Sequence, residues 1–164
     1  STPAGKTTRK KNLVEIMAHP DTSRETLTAA TLFSIEIGQV PIAVQKEQNG
    51  YVLNTWFVAT LTAAIALVAN GVSTPEDVDR TYMIVNRGCA MGPCGLLDMV
   101  GMKTAYDVSS YWGALNDDAQ MLKNAAYVKE RFLDKGLQGL VGGAGFSKYP
   151  NPAYAAPDFL AVSD

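Results

Sequence analysis

Two polar side chains stand in otherwise apolar segments, where they could do chemistry. Glu15 alternates with Val14 and Ile16 in a β-prone segment. Its carboxylate therefore either faces solvent, which this pattern alone favours, or serves a partner across an interface. Asn54 opens an apolar helix. It is either an ordinary polar residue of the first turn or an amide aimed into a cleft, where it would bind a substrate carbonyl as an oxyanion donor does.

The one histidine of the chain, His19, is the natural candidate for a general base. Alcohol oxidation usually employs a histidine of near-neutral pKa that a carboxylate holds in place. His19 stands beside Pro20, at the point where a predicted strand turns into a helix. That setting favours a solvated surface histidine over a catalytic one.

Motifs for nucleotide or metal binding are weak. The segment G-K-T-T at 5–8 resembles the end of a phosphate-binding loop, but neither the earlier glycine nor the preceding strand of that motif is present. The segment G-G-A-G at 142–145 has no strand-turn-helix context, so it does not predict a dinucleotide turn. Cys89 and Cys94 fit neither a C-x-x-C motif nor a zinc site, and we interpret them as reduced thiols. These residues predict neither a metal site nor a dinucleotide site.

The elements that must position Glu15 and Asn54 fall into two groups. Residues 13–18 and 40–45 are predicted strands, and the helix between them begins after the capping side chains of residues 21–23 and ends at Gly38. This β-α-β order is typical of a doubly wound domain. The helix is expected to have an apolar face formed by Leu27, Ala30, Leu32, Phe33, Ile35 and Ile37.

From residue 49 onward the pattern is helical. Helices are predicted over 51–70, from Pro75 through Ile84, from Leu96 to near Trp112 with a break near Gly101, and over 117–135. Residues 86–95, which hold three glycines and a proline, are predicted to be a loop. The last helix is expected to carry one apolar face, formed by Met121, Leu122, Ala125, Val128 and Phe132. The remaining segment is rich in glycine, proline and aromatic residues and is predicted to be ordered but irregular.

The predicted fold class is therefore mainly α: a helical bundle preceded by a β-α-β segment of a Rossmann-like domain. Residues 1–11 form a basic arm that is disordered or foreign, residues 12–48 the β-α-β segment, and residues 49–164 the helical domain. With 47% hydrophobic and 18% charged residues and a net charge of -2, the chain has the composition of a soluble globular protein, with no sign of nucleic-acid or membrane binding. A cytoplasmic location is expected.

Several motifs, in order along the chain, resemble the 3-hydroxyacyl-CoA dehydrogenases. They are N-L-V-E-I at 12–16 with V-P-I-A-V at 40–44, N-G-Y-V-L-N at 49–54, G-V-S-T-P-E-D-V-D-R at 71–80 and M-G-P-C-G-L-L-D-M-V-G at 91–101. The end, Y-P-N-P-A-Y-A-A-P-D-F-L at 149–160, resembles the short-chain members that include 3-hydroxybutyryl-CoA dehydrogenases. Members of this family oxidise 3-hydroxyacyl-CoA in fatty-acid and butanoate metabolism. They combine an NAD-binding Rossmann domain with a helical domain that closes the substrate cleft and forms a homodimer.

The resemblance implies roles for individual residues. Glu15 would be the carboxylate that orients and charges the catalytic histidine, and Asn54 the amide beside the reacting oxygen of the substrate. Met91, Gly92, Pro93 and Leu97 would line the acyl-CoA cleft.

The chain also departs from the family pattern. The histidine motif, expected twelve residues before the glutamate, does not match at Pro3, and the glycine-rich turn of the nucleotide domain is missing. We therefore expect a fragment that binds no NAD and is inactive by itself. Two alternatives stay open: a free-standing helical dimerisation or interaction module, and an enzyme whose nucleotide-binding domain arrives as a separate chain.

Overall fold

A computed structural model describes residues 12–161 of the chain. The predicted basic arm at 1–11 lies outside the described residues. The chain forms two compact units; the first ends at Trp56 and the second begins at Phe57. Within the described residues, no helix is both long and apolar enough to cross a membrane.

The first unit is a parallel β-α-β segment. Strand β1 (Leu13–Met17) pairs in parallel with β2 (Val40–Val44), and α1 (Arg24–Glu36) connects them. Ser23 caps α1 by accepting a hydrogen bond from the N–H of Thr26, which matches the predicted start of this helix. Neighbouring strands that run in parallel need a crossover connection, and α1 supplies it.

The predicted apolar face of α1 is only partly buried. Leu32 and Phe33 are each 60% exposed, and Ile35 and Ile37 are exposed as well. The physical reason is that the apolar face of α1 is wider than a sheet of two strands can cover.

The second unit is helical throughout its regular structure. Helix α2 (Leu53–Ala69) begins in the first unit and continues into the second, where α3 (Pro75–Val85), α4 (Pro93–Val100), α5 (Met102–Leu115) and α6 (Ala119–Arg131) follow. Short 3-10 helices occupy Leu133–Lys135 and Ala153–Ala155. The predicted architecture, mainly helical after a short β-α-β segment, is confirmed.

One helix starts earlier than the sequence predicts. The segment 86–95 was expected to be a loop, yet α4 begins at Pro93 and includes Cys94 and Gly95. Proline is compatible with the first helical position because the N–H that it lacks would have no partner there. The break near Gly101 is confirmed, since Gly101 takes a φ of 95° between α4 and α5.

The hydrophobic core of the second unit brings α2, α4, α5 and α6 together. It is formed by Leu61, Ile65, Leu97, Met102, Ala105, Val128 and Phe132. Of the residues predicted to share one face of the last helix, Ala125, Val128 and Phe132 are buried, whereas Leu122 is 44% exposed. Burial of such side chains, at about 1.5–3 kcal/mol each, is the main favourable contribution to the stability of this unit.

Candidate active site

Glu15, at the centre of β1, makes the most informative contact of the first unit. Its Oε1 atom accepts hydrogen bonds from the backbone N–H groups of Val52, at 2.7 Å, and Leu53, at 2.9 Å. The first N–H groups of a helix have no partner within the helix. Glu15 is therefore the N-terminal cap of α2, supplied from a strand 37 residues earlier in the chain.

Asn54 lies immediately after these two residues, in the first turn of α2, and is exposed. The chain enters the helix through two consecutive residues of positive φ, Gly50 at 81° and Tyr51 at 50°. A Cβ atom on Gly50 would lie 3.3 Å from the nitrogen of Thr55, so the turn is tight as well as left-handed. The structure thus brings the two predicted catalytic residues to one end of one helix, while their catalytic roles stay predictions.

His19 takes no part in this arrangement. Its side chain is 73% exposed, and its Nδ1 atom lies 3.5 Å from a carboxylate oxygen of Asp21, a neighbour along the chain. The interpretation as a solvated surface histidine agrees with this placement.

The residues predicted to line the acyl-CoA cleft belong to the second unit. Met91 is half-buried, and Gly92 and Pro93 are buried at the start of α4. Leu97 is only 1% exposed and belongs to the hydrophobic core. Leu97 would therefore shape a cleft only as a wall residue, by supporting the residues next to it.

Sequence reasoning missed the buried carboxylate of Asp79 on α3. Its Oδ1 and Oδ2 atoms accept hydrogen bonds from the N–H groups of Cys94, at 2.6 Å, and Gly95, at 2.9 Å. Asp79 therefore caps α4, and this explains why the helix begins within the glycine-rich segment. Burial raises the pKa of Asp79 to about 6, although the two backbone hydrogen bonds act in the opposite direction. The helical spacing in α3, which places Asp79 four residues before buried Met83 and on the same face, was the available signal.

Gly92 allows α3 and α4 to approach each other at this cap. A Cβ atom at Gly92 would lie 2.4 Å from the Cα atom of Asp79. Only glycine fits such a contact between two backbones. Burial also raises the pKa of the neighbouring Cys94 thiol, so that it stays protonated and unreactive.

A second buried carboxylate, Asp98, holds the segment that follows the last helices. It accepts hydrogen bonds from the N–H of Phe146 at 2.7 Å, the N–H of Ser147 at 2.8 Å and the hydroxyl of Tyr149 at 3.0 Å. Burial raises the pKa of Asp98. The signal for this residue resembled that for Glu15: one acid in the apolar run L-L-D-M-V.

Arg80 anchors the end of the same segment, because its Nε donates to the carbonyl of Phe159 at 2.8 Å and its guanidinium lies 4.7 Å from the centre of that ring. The predicted ordered, irregular tail is therefore held at two points, by Asp98 and by Arg80.

An apolar groove runs between α2 and α3, with a volume of about 550 Å³. Its lining combines small and aliphatic side chains with few polar groups: Thr60, Ala63, Ala64, Leu67, Ser73, Asp77, Val78, Thr81, Tyr82, Val85, Asn86 and Pro93. Val85, which lines the groove, is 74% exposed, and Val72, which precedes Ser73 in the chain, is 68% exposed.

Two further kinds of site concern the described part of the chain: one for a metal ion and one for a dinucleotide. Within residues 12–161, no group of three or more His, Cys, Asp or Glu side chains is arranged to hold a metal ion. The connection from β1 to α1 contains no glycine, and the Ser23 hydroxyl already bonds a free N–H of the helix start. These residues do not fit the glycine-rich turn that a dinucleotide phosphate requires.

Fold and site define the class of this chain: a helical domain that follows a parallel β-α-β segment, with a carboxylate and an amide at the start of its first long helix. The family model of the 3-hydroxyacyl-CoA dehydrogenase C-terminal domain matches residues 50–149. The chain belongs to this family, as the sequence motifs had indicated.

Three relatives illustrate the relationship. The mitochondrial hydroxyacyl-coenzyme A dehydrogenase of Sus scrofa is 32% identical over 137 residues, which are 84% of this chain and 43% of the relative. A solved diketoreductase is 40% identical with a TM-score of 0.77, over 84% of this chain and 47% of that one. The (S)-3-hydroxybutyryl-CoA dehydrogenase of Ralstonia eutropha is 27% identical with a TM-score of 0.68, over 87% and 49%. The chain spans less than half the length of each of these relatives.

Proposed function

We propose that this chain is part of an NAD-dependent dehydrogenase that oxidises 3-hydroxyacyl-CoA to 3-oxoacyl-CoA. The observation that carries the proposal is the pairing of Glu15 with the first turn of α2, next to Asn54. The family match and the similarity to hydroxyacyl-coenzyme A dehydrogenases support it.

The roles follow from the chemistry of these two groups. Glu15 orients a histidine base and stabilises its protonated form after the base has taken the hydroxyl proton of the substrate. Asn54 donates a hydrogen bond from its amide to the same substrate oxygen, at a helix N-terminus where the backbone dipoles favour developing negative charge. Met91, Gly92, Pro93 and Leu97 form part of the wall of the acyl-CoA cleft.

The connection between β1 and α1 does not fit a dinucleotide turn, and we propose that the cofactor binds to a nucleotide-binding domain outside residues 12–161. We therefore propose that the 164-residue chain binds no NAD by itself. Isothermal calorimetry with NADH checks this. Binding in the micromolar range would contradict the assignment of the cofactor to a separate domain.

Catalysis is tested by the oxidation of 3-hydroxybutyryl-CoA, followed by NADH absorbance. We expect background rates from the 164-residue chain, and turnover once it is joined to or mixed with a family nucleotide-binding domain. Glu15→Gln and Asn54→Ala should each remove most of that turnover, whereas Glu36→Ala, at an exposed carboxylate of the same unit, should not. Turnover of the isolated chain that Glu15→Gln abolishes would mean that the base lies within this chain. Full turnover by both variants would refute the proposed site.

A second substrate class has a specific observation in its favour. The diketoreductase, whose solved structure concerns catalysis on dicarbonyl compounds, matches this chain at higher identity and TM-score than the hydroxybutyryl-CoA dehydrogenase does. We propose dicarbonyl compounds as the alternative substrates. A comparison of kcat/KM for 3-oxobutyryl-CoA and for a dicarbonyl compound that carries no coenzyme A distinguishes the two classes.

We further propose that the chain forms a homodimer through the helical domain. The apolar groove between α2 and α3 and the exposed Val72 and Val85 support this proposal, because large apolar patches on a protein surface usually mark interfaces. The dimer should bury more than about 2,000 Å² in total. Sedimentation that shows a stable 17.5 kDa monomer at micromolar concentration would refute it.

The competing function is that of a free-standing interaction module, which would also use the apolar groove between α2 and α3. Acyl-CoA binding separates the two, because a module without a substrate cleft has no affinity for 3-hydroxybutyryl-CoA. A reducing compartment such as the cytoplasm suits either function, since Cys89 and Cys94 are free thiols.

A further inference from the structure

One carboxylate and one helix start connect the two candidate catalytic residues. Glu15 is held in the middle of β1, where it lies opposite Ile42 of β2 in the strand register. Its Oε1 atom accepts from two successive N–H groups, Val52 and Leu53, and the next residue is Asn54. All of these contacts lie within the first unit.

The first N–H groups of α2 have few possible acceptors other than Glu15. The residues before it adopt positive φ at Gly50 and Tyr51. The Thr55 hydroxyl, which could cap a helix, is instead a donor to the carbonyl of Tyr51. The first N–H groups of any helix need an acceptor from outside the helix, and among the described residues Glu15 is the acceptor that serves Val52 and Leu53.

We propose that Glu15 is a positioning residue for Asn54: its Oε1 atom fixes the first turn of α2 and thereby the location of the Asn54 amide. This role rests on the proposed function and is distinct from the orientation of a base. The two roles use different atoms. Within the described part of the chain, Oε1 accepts both helix bonds, which leaves Oε2 for the base.

The arrangement has a chemical purpose. The base takes the hydroxyl proton from the same oxygen that the Asn54 amide contacts, so carboxylate and amide must keep a fixed separation. A misplacement of about 1 Å is enough to reduce catalysis by about a hundredfold. A single glutamate that contacts both the base and the first turn of α2 keeps the carboxylate and the Asn54 amide at that separation.

Substitution at Glu15 separates the two roles. Glu15→Gln removes the charge but keeps a side-chain oxygen that can accept from both N–H groups. Glu15→Ala removes both the charge and the acceptor. If the carboxylate acted only on the base, the two variants would behave alike at the start of α2.

The first measurement is amide hydrogen exchange of the 164-residue chain by NMR. Glu15→Ala should reduce the protection of the Val52 and Leu53 amides about tenfold, and should shift the side-chain amide resonances of Asn54. Glu15→Gln should keep protection within about threefold of the unmodified chain. The control Glu36→Ala should leave these signals unchanged. If Glu15→Ala does not fold, Glu15→Asp replaces it, because its carboxylate is one methylene shorter and should lose the same protection.

The second measurement is kcat and KM in the form that turns over, with Asn54 present and with Asn54→Ala. The difference in kcat between Glu15→Gln and Glu15→Ala should be at least tenfold with Asn54 in place, and should disappear without it. A difference that persists without Asn54, or unchanged Val52 and Leu53 protection in Glu15→Ala, overturns the positioning role. Absence of turnover in every form refutes the proposed function instead, and the exchange data then decide the role of Glu15 at the helix start.

Discussion

Replacement of Asp98 by alanine should release the segment that this carboxylate holds. Asp98 is fully buried and accepts three hydrogen bonds, from Phe146, Ser147 and Tyr149. Hydrogen bonds to a charged group contribute about 1.5–3 kcal/mol each. Because burial raises the pKa of Asp98, the desolvation of its charged form offsets part of that contribution. We therefore expect Asp98→Ala to lower the free energy of unfolding by about 3–5 kcal/mol.

Thermal and urea unfolding by circular dichroism measure this change. A loss of this size corresponds to a decrease in Tm of roughly 10 °C for a chain of this length. The matched control is Asp107→Ala, which removes an exposed carboxylate that pairs with Lys103 on the surface. Exposed pairs contribute about 1 kcal/mol or less, so the control should change stability little. If Asp98→Ala cost no more than this control, the assignment of Asp98 as the anchor of the 146–149 turn would be refuted.

Three further predictions concern other buried groups of the second unit. Asp79 has a pKa of about 6 in the folded protein, against about 3.8 ordinarily. The folded state therefore binds more protons between these values, and stability should rise as pH falls from 7 to 4.5, by on the order of 2 kcal/mol. Asp79→Asn should lose this gain in stability. Urea titrations in which the free energy of unfolding depends on pH equally in the unmodified chain and in Asp79→Asn would contradict the prediction. Gly92→Ala would place a Cβ atom 2.4 Å from the Asp79 backbone and should cost about 1–3 kcal/mol in urea unfolding; an unchanged midpoint would show that the helices can separate freely. Asn124→Ala removes buried bonds to the Thr62 carbonyl and to Gln120. It should lower Tm clearly more than Asn70→Ala at the exposed end of the same network, and equal effects would argue against a structural role for the buried amide.

The sequence alone determined those features whose causes lie within a few residues of one another. Ser23 and Thr74 cap α1 and α3 by bonding N–H groups three residues ahead, so both helix starts could be predicted from local side chains. The break at Gly101 has a similarly local cause. The family could be indicated from the sequence because its motifs occur in the same order and spacing along this chain, at 12–16, 49–54, 71–80 and 91–101.

Tertiary structure decided the contacts between residues that are distant in sequence. Asp79 caps α4 from another helix, which is why a segment rich in glycine is helical from Pro93 onward. Asp98 meets its partners 48 to 51 residues further along the chain, and the face of α1 remains exposed because a sheet of two strands is too narrow to cover it. Glu15 is the clearest case. By alternation alone it was a solvent-facing residue of a strand, whereas the fold brings the start of α2 to its carboxylate. The three carboxylates share one physical reason: a backbone N–H group without a partner nearby in the chain needs an acceptor, and only the folded chain determines which distant side chain supplies it.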